Sequence, residues 1–311
     1  MSVPNRRRAA WGLLLLLPGL FGVNILLSRY ALFIPPNALA LGRWTVVALL
    51  LLPFVWTALI THRRALAREW PDLLLLGALG MWVCGAFVYI GARSTVALNI
   101  SLIYAASPIL VVVLERLFHG ESLPLTRVAG ITLCLAGVAI VLARGQPASL
   151  LAVRFTAGDL WVASASACWG VYSVILRHRP SALAPMARLS AIAVGGCLVL
   201  LPFTIGEAVL WGGPDVADWR TWAVWLVLGI VPGLGAYGAY SLCVKELGAG
   251  RTSVAMYLTP LYVGIGAWLA LGEAPQWYHL LGTLLILPGL FLATRPAPPG
   301  RKPDGQPSKG A

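Results

Sequence analysis

The sequence has 311 residues, of which 59% are hydrophobic and 11% charged, with a formal net charge of +12. A soluble domain carries about 25% charged residues, so water is not the main solvent of this chain. The positive charge does not point to nucleic acid, because Lys and Arg sit in short gaps between apolar runs and form no patch interleaved with aromatics.

In chain order, Arg6, Arg7 and Arg8 precede an apolar run from Trp11 to Leu27. This is the basic head and apolar body of a signal peptide. No small-residue cleavage site follows, however, and the next apolar run starts at once, so the segment is expected to stay as a first helix. A bilayer core takes about 20 apolar residues of helix per crossing. Cutting the chain at its charged or Pro/Gly-rich gaps predicts crossings at 9–30, 37–60, 71–91, 97–118, 125–143, 157–177, 182–206, 220–244, 251–271 and 276–294. The tail from Pro296 to Ala311, rich in Pro, Gly and Lys, is expected to be disordered. Cys84, Cys134, Cys168, Cys197 and Cys243 all lie inside apolar runs without a CxxC pair and read as reduced packing residues.

Orientation follows from alternate gaps, since cytoplasmic loops carry the excess of Lys and Arg. With the N-terminus inside, sixteen basic residues fall in inner gaps and five, Arg29, Arg93, Arg144, Arg154 and Arg220, in outer ones. Both termini are then cytoplasmic. The halves also repeat: Ser107-Pro108 with Gly120-Glu121 recurs as Thr259-Pro260 with Gly272-Glu273, and Gly130 and Gly137 recur as Gly282 and Gly289, all offset by 152 residues. Phe21-Gly22 matches Trp169-Gly170, and Arg43 matches Arg188. An odd number of crossings per half inverts the second half. The expected fold is therefore all-α and integral to the membrane, with ten transmembrane helices as two inverted five-helix repeats. The first repeat covers 9–145 and the second 155–295, between a cytoplasmic N-terminus at 1–8 and the tail at 296–311. In such carriers the substrate sits near the midplane where the repeats meet.

These paired motifs resemble the drug/metabolite transporter superfamily, in its ten-helix, EamA-like branch of bacterial exporters. The resemblance covers residues 9–295 and is strongest to the aromatic amino-acid exporters. It implies an inner-membrane carrier that moves small organic metabolites outward by alternating access. The partners it implies are a small-molecule substrate and the lipid bilayer, and nothing in the sequence calls for more than a monomer.

The titratable residues exclude most chemistry. His62, His119 and His178 fall in inner gaps and His279 at the start of the last run, so no catalytic histidine is expected within the membrane, and neither a cofactor nor a metal site is expected in the chain. All eleven carboxylates fall in gaps, the tail or helix ends. A proton-coupled carrier of cationic drugs needs an acid inside the membrane. Here Asn24 stands at mid-depth, with Tyr172 as its counterpart, which favours neutral or zwitterionic substrates and facilitated flow; Asn24 could equally bond another helix. A multidrug or nucleotide-sugar carrier is the alternative, and a membrane enzyme comes third.

Arg43 and Arg188, each read as about two turns inside a helix, could close one end of the pathway, snorkel to the interface, or meet a substrate carboxylate. Pro108 and Pro260, read as mid-helix, free the carbonyls of Tyr104 and Met256 and are candidate hinges. Trp11, Trp44, Trp70, Trp219, Trp222 and Trp277 read as interfacial anchors. The mid-depth aromatics Trp82, Tyr89, Tyr104, Trp169, Tyr172, Tyr237, Tyr240 and Tyr257 would line a cavity, in which Asn24, Ser101 and the freed carbonyls bind the substrate head group.

Overall fold

The computed structural model describes residues 3–95, 100, 103–146, 148, 156–262, 265 and 276–295, and these residues contain helices and turns but no strand. We number the helices α1 (Val3–Tyr30), α2 (Pro36–Thr61), α3 (Arg63–Ala92), α4 (Ser107–His119), α5 (Leu125–Leu142), α6 (Ala157–His178), α7 (Pro185–Trp211), α8 (Trp219–Leu247), α9 (Ala249–Val254) and α10 (Trp277–Thr294). Eight of them, all except α4 and α9, are long and apolar enough to cross a membrane. In α4 and α9 part of the expected span, 97–118 and 251–271, lies outside the described residues.

Local chemistry sets several boundaries. Pro36 and Pro185 occupy the first turns of α2 and α7, where a missing N–H costs nothing. Thr156 and Asp159 close a capping box on α6, and Gly120, with φ of 64°, ends α4 in the left-handed conformation that glycine adopts without strain. The basic stretch Arg63, Arg64 and Arg68, expected as a loop, instead forms the first turns of α3 after a single break at His62. The outer surface carries Phe54, Leu125, Val209 and Trp211, each more than three-quarters exposed, as a lipid-facing wall requires.

Two helix pairs form the seams. α5 and α10 pack through glycine: a Cβ on Gly130 would lie 2.6 Å from the Gly289 carbonyl oxygen and one on Gly289 would lie 2.8 Å from that of Gly130. Gly137 and Gly282 face each other in the same reciprocal way. As the number rises on one helix it falls on the other, so the pair is antiparallel. Only residues without side chains let backbones approach this closely, which is how membrane helices gain packing energy without a hydrophobic driving force. α2 and α7 are also antiparallel, with Asn37 beside Glu207 and Thr45 beside Cys197. Between these seams α3 packs on α6 and α1 on α8.

α3 and α8 share an irregularity. Each passes into a π-helical stretch, Ala78–Phe87 in α3 and Gly229–Ala236 in α8. Both stretches are glycine-containing, and Pro232 removes one amide donor from the second. Such widened turns are frequent at functional sites.

Candidate functional site

The π-helical stretches face a ring cluster at the centre of the bundle. Phe21 of α1 meets Trp169 of α6 edge-on, with centroids 5.4 Å apart, and Tyr237 of α8 at 5.6 Å. Trp169 lies 4.7 Å from Tyr240 and stacks at 5.4 Å on Tyr172, while Trp44 of α2 meets Tyr237 at 4.7 Å. The polar tips of these rings are bound by backbone that the π turns expose: Tyr237 Oη donates to the Gly80 carbonyl at 2.9 Å and Trp44 Nε1 to that of Met81 at 3.1 Å. Ser173 Oγ and Tyr240 Oη share a 2.7 Å bond. Gly80 is needed for close approach, since a Cβ there would come within 2.7 Å of the Tyr172 ring.

Arg43 of α2 projects into this cluster and is 2% exposed. Its Nη1 donates to Asn24 Oδ1 at 3.1 Å and to Tyr89 Oη at 3.2 Å, and Tyr89 Oη itself donates to Asn24 Oδ1 at 2.9 Å. The guanidinium carbon lies 4.6 Å from the Trp44 ring centre and 5.4 Å from that of Tyr237. No described carboxylate pairs with it. A buried cation costs several kcal/mol unless matched, and here two neutral oxygens and two ring faces offset part of that. Its Nε and Nη2 are buried without hydrogen-bond partners. These two nitrogens share one edge of the guanidinium plane, the edge that meets a carboxylate through two parallel N–H···O bonds.

Arg188 of α7 differs. It stands in the first turn of its helix, not two turns inside, because Pro185 starts α7 three residues later than expected. Its Nη1 donates to the Leu176 carbonyl at 3.0 Å and its Nη2 to that of Arg179 at 3.1 Å, so it caps the end of α6. Beside it opens a cavity of about 180 Å³ whose walls include Arg177, Arg179, Arg188 and Lys245 and no carboxylate.

The other expected site residues divide. Asn24, Tyr89, Trp169, Tyr172 and Tyr237 come together around Arg43. Tyr104 packs among Ala92, Ile100 and Val162, within range of the Arg43 charge. Trp82 points to the other side of α3, stacked at 3.9 Å on Phe203 of α7. Tyr257 is buried in a separate cluster with Leu14, Cys134 and Ile286. Ser101 lies outside the described residues.

Pro108 is not mid-helix, because the helix breaks at Ala106 and resumes with Pro108 in its first turn. Pro260 is the second residue after a 3₁₀ turn, Ala255–Leu258, where the helix resumes at Thr259. In both places the ring's clash with the preceding turn is relieved by interrupting the α-helix just before it. Sequence reading missed Phe21 and Trp44 as members of the cluster. Trp44, taken for an interfacial anchor, is fully buried. Its position directly after a mid-helix arginine was the available signal.

Comparison with known proteins agrees with this architecture. The EamA-like transporter family profile matches residues 9–143 and again 156–295. The chain is 23% identical over 277 residues to the uncharacterized transporter YyaM of Bacillus subtilis, covering 88% of this chain and 89% of that one. An uncharacterized transporter of Archaeoglobus fulgidus is 27% identical, covering 83% of this chain and 88% of its own length. A probable terminal-alkyne amino-acid exporter of Streptantibioticus cattleyicolor is 26% identical, covering 83% of each chain. A solved crystal structure shares the fold with a TM-score of 0.70 at 22% identity, covering 93% of this chain and 97% of the other. With both of its halves matched by one profile, this chain belongs to the EamA-like transporter family and is a multi-pass membrane transporter.

Proposed function

We propose that this chain exports small carboxylate-bearing metabolites, amino acids foremost, across the bacterial inner membrane by facilitated alternating access. The observation that carries the reading is the unpartnered Nε/Nη2 edge of buried Arg43 inside a ring-walled site. A substrate carboxylate supplies the two acceptors this edge lacks and the counter-charge the guanidinium lacks. Phe21, Trp169, Tyr172 and Tyr237 then enclose an apolar or aromatic side chain. The amino-acid exporter among the relatives supports the same substrate class.

Asn24 and Tyr89 orient the guanidinium by occupying Nη1. The excess of Lys and Arg in alternate gaps supports a cytoplasmic position for the cavity of Arg177, Arg179, Arg188 and Lys245. There it raises the local concentration of anionic metabolites. The antiparallel α5–α10 pair and the doubled profile match support two inverted repeats whose rocking alternates access. The π stretches of α3 and α8, together with the breaks before Pro108 and Pro260, are the segments that bend.

Proteoliposomes containing only the purified protein test this. Labelled aromatic and aliphatic amino acids should cross without an imposed pH gradient, and the corresponding amides, which lack the carboxylate, should cross at least about 10-fold more slowly, the low end of a lost charge-assisted hydrogen bond. Equal transport of acid and amide would remove Arg43 from the substrate site. Strict dependence on a gradient would overturn the facilitated mechanism.

A further inference from the structure

At one end of the bundle, away from the ring cluster, α4 and α6 bring together Glu115, His119 and His178. Glu115 and His119 are four residues apart on α4 and so share one helix face. His178 is the last residue of α6. Its Nε2 lies 2.8 Å from Glu115 Oε2, and its ring lies flat on that of His119, with centroids 3.3 Å apart and planes 11° from parallel. One donor atom from each of the three residues falls within 4.8 Å of the others.

We propose that these residues form a binding site for a divalent transition cation of the zinc class, joining α4 of the first half to α6 of the second. An independent observation supports it: Glu115 is 3% exposed, and its second oxygen, Oε1, is buried with no hydrogen-bond partner. Arg127 of α5 stands within electrostatic range of Glu115 but makes no ion pair with it. A cation held by the carboxylate supplies the missing partner. Two imidazoles and one carboxylate are the donor set of open zinc sites, which keep a fourth position for water. His119 is exposed, so the ion reaches the site from solvent. The α4 ligands are fixed because the chain turns sharply at Gly120, where the Gly120 amide bonds back to the Glu115 carbonyl.

The test is metal binding by the purified, tag-free full-length protein in detergent. Competition for Zn²⁺ with a chromophoric chelator should give one ion per chain, and Co²⁺ should develop the visible absorption of a tetrahedral complex. His178→Ala and Glu115→Gln should each weaken binding by more than about 10-fold, at least the loss that follows removal of an outer-shell partner. His119→Ala, altering an exposed side chain, keeps the test decisive if either of the others fails to fold. Absence of Zn²⁺ binding, or binding that His119→Ala leaves unchanged, overturns the site.

Discussion

Arg43 and Arg188 match in the sequence repeat, yet Arg43 stands two turns inside α2 and Arg188 in the first turn of α7, and their surroundings are opposite. Arg188 is held by two backbone carbonyls at a helix end, and it is followed by Leu189. Arg43 is fully enclosed, followed by Trp44, and bonded through one nitrogen only. Arg188 has both terminal nitrogens on backbone carbonyls and keeps only its Nε buried and unpartnered. Arg43 keeps a whole bidentate edge unpartnered inside a low-dielectric core, the edge that our proposal assigns to a substrate carboxylate. The same residue type in a duplicated fold thus carries structure in one half and, in our proposal, recognition in the other.

The largest expected effect breaks that comparison directly. Arg43→Gln should weaken amino-acid binding by about 1.5–3 kcal/mol, roughly 10- to 150-fold in apparent affinity, with acid and amide then transported alike. Arg188→Gln should leave that acid-over-amide preference intact and instead lower the melting temperature in detergent. If the two variants lose the preference equally, the asymmetry between the halves has no functional meaning.

A second change makes the first half resemble the second. Trp44→Leu copies Leu189 onto α2 and removes the ring under the guanidinium, which costs about 0.5–2 kcal/mol for a desolvated cation–π contact. Substrate affinity, read by binding calorimetry, should fall by that amount; unchanged affinity would show that the Trp44 ring does not hold Arg43 in place. Trp82→Leu on the far side of α3 serves as the control, because Trp82 stacks on Phe203 and not on the cluster.

The third change concerns the π stretch of α8. A Cβ at Gly233 would lie 2.6 Å from Val47 Cγ2 and 3.7 Å from Arg43 Nε. Gly233→Ala should therefore push α8 from α2 and cost about 1–3 kcal/mol of stability, while slowing transport more than it alters affinity. Transport at the parental rate would separate the π stretch from the moving parts.

The change with the least expected effect on transport lies at the start of α2. Glu207 of α7 accepts from the Asn37 and Ala38 amides and from Asn37 Nδ2 at 3.0–3.2 Å, capping the helix that carries Arg43. Glu207→Gln should cost about 0.5–2 kcal/mol in thermal unfolding, without changing substrate preference. A changed preference would mean that this cap helps to aim Arg43.

Much of the fold was legible in the apolar runs. The starts at Pro36, Leu125 and Ala157 agree with expectation to within one residue, because proline, charge and capping residues mark them locally. The candidate site was only half legible. Asn24, Trp169, Tyr172 and Tyr237 could be picked out by depth, since a polar tip at mid-membrane needs a partner. Depth says nothing about azimuth, however. Trp82 and Tyr257 satisfied the same criterion and point elsewhere, while Trp44 was assigned to an interface on the strength of its distance from a helix end.

What the sequence determined by itself is the membrane class, the apolar segments and the duplication. Each rests on properties counted along the chain: the length of apolar runs, the placement of Lys and Arg, and motifs at a constant offset. The tertiary structure alone decided which arginine is left with a free edge and which histidines meet a buried carboxylate. Those outcomes depend on the rotation of each helix about its axis. That rotation is reset where the i→i+5 bonding of Ala78–Phe87 and Gly229–Ala236 departs from the regular helical period, and fixed where glycines let one backbone lie against another. Neither follows from composition or spacing, because both are settled by the helix across the interface.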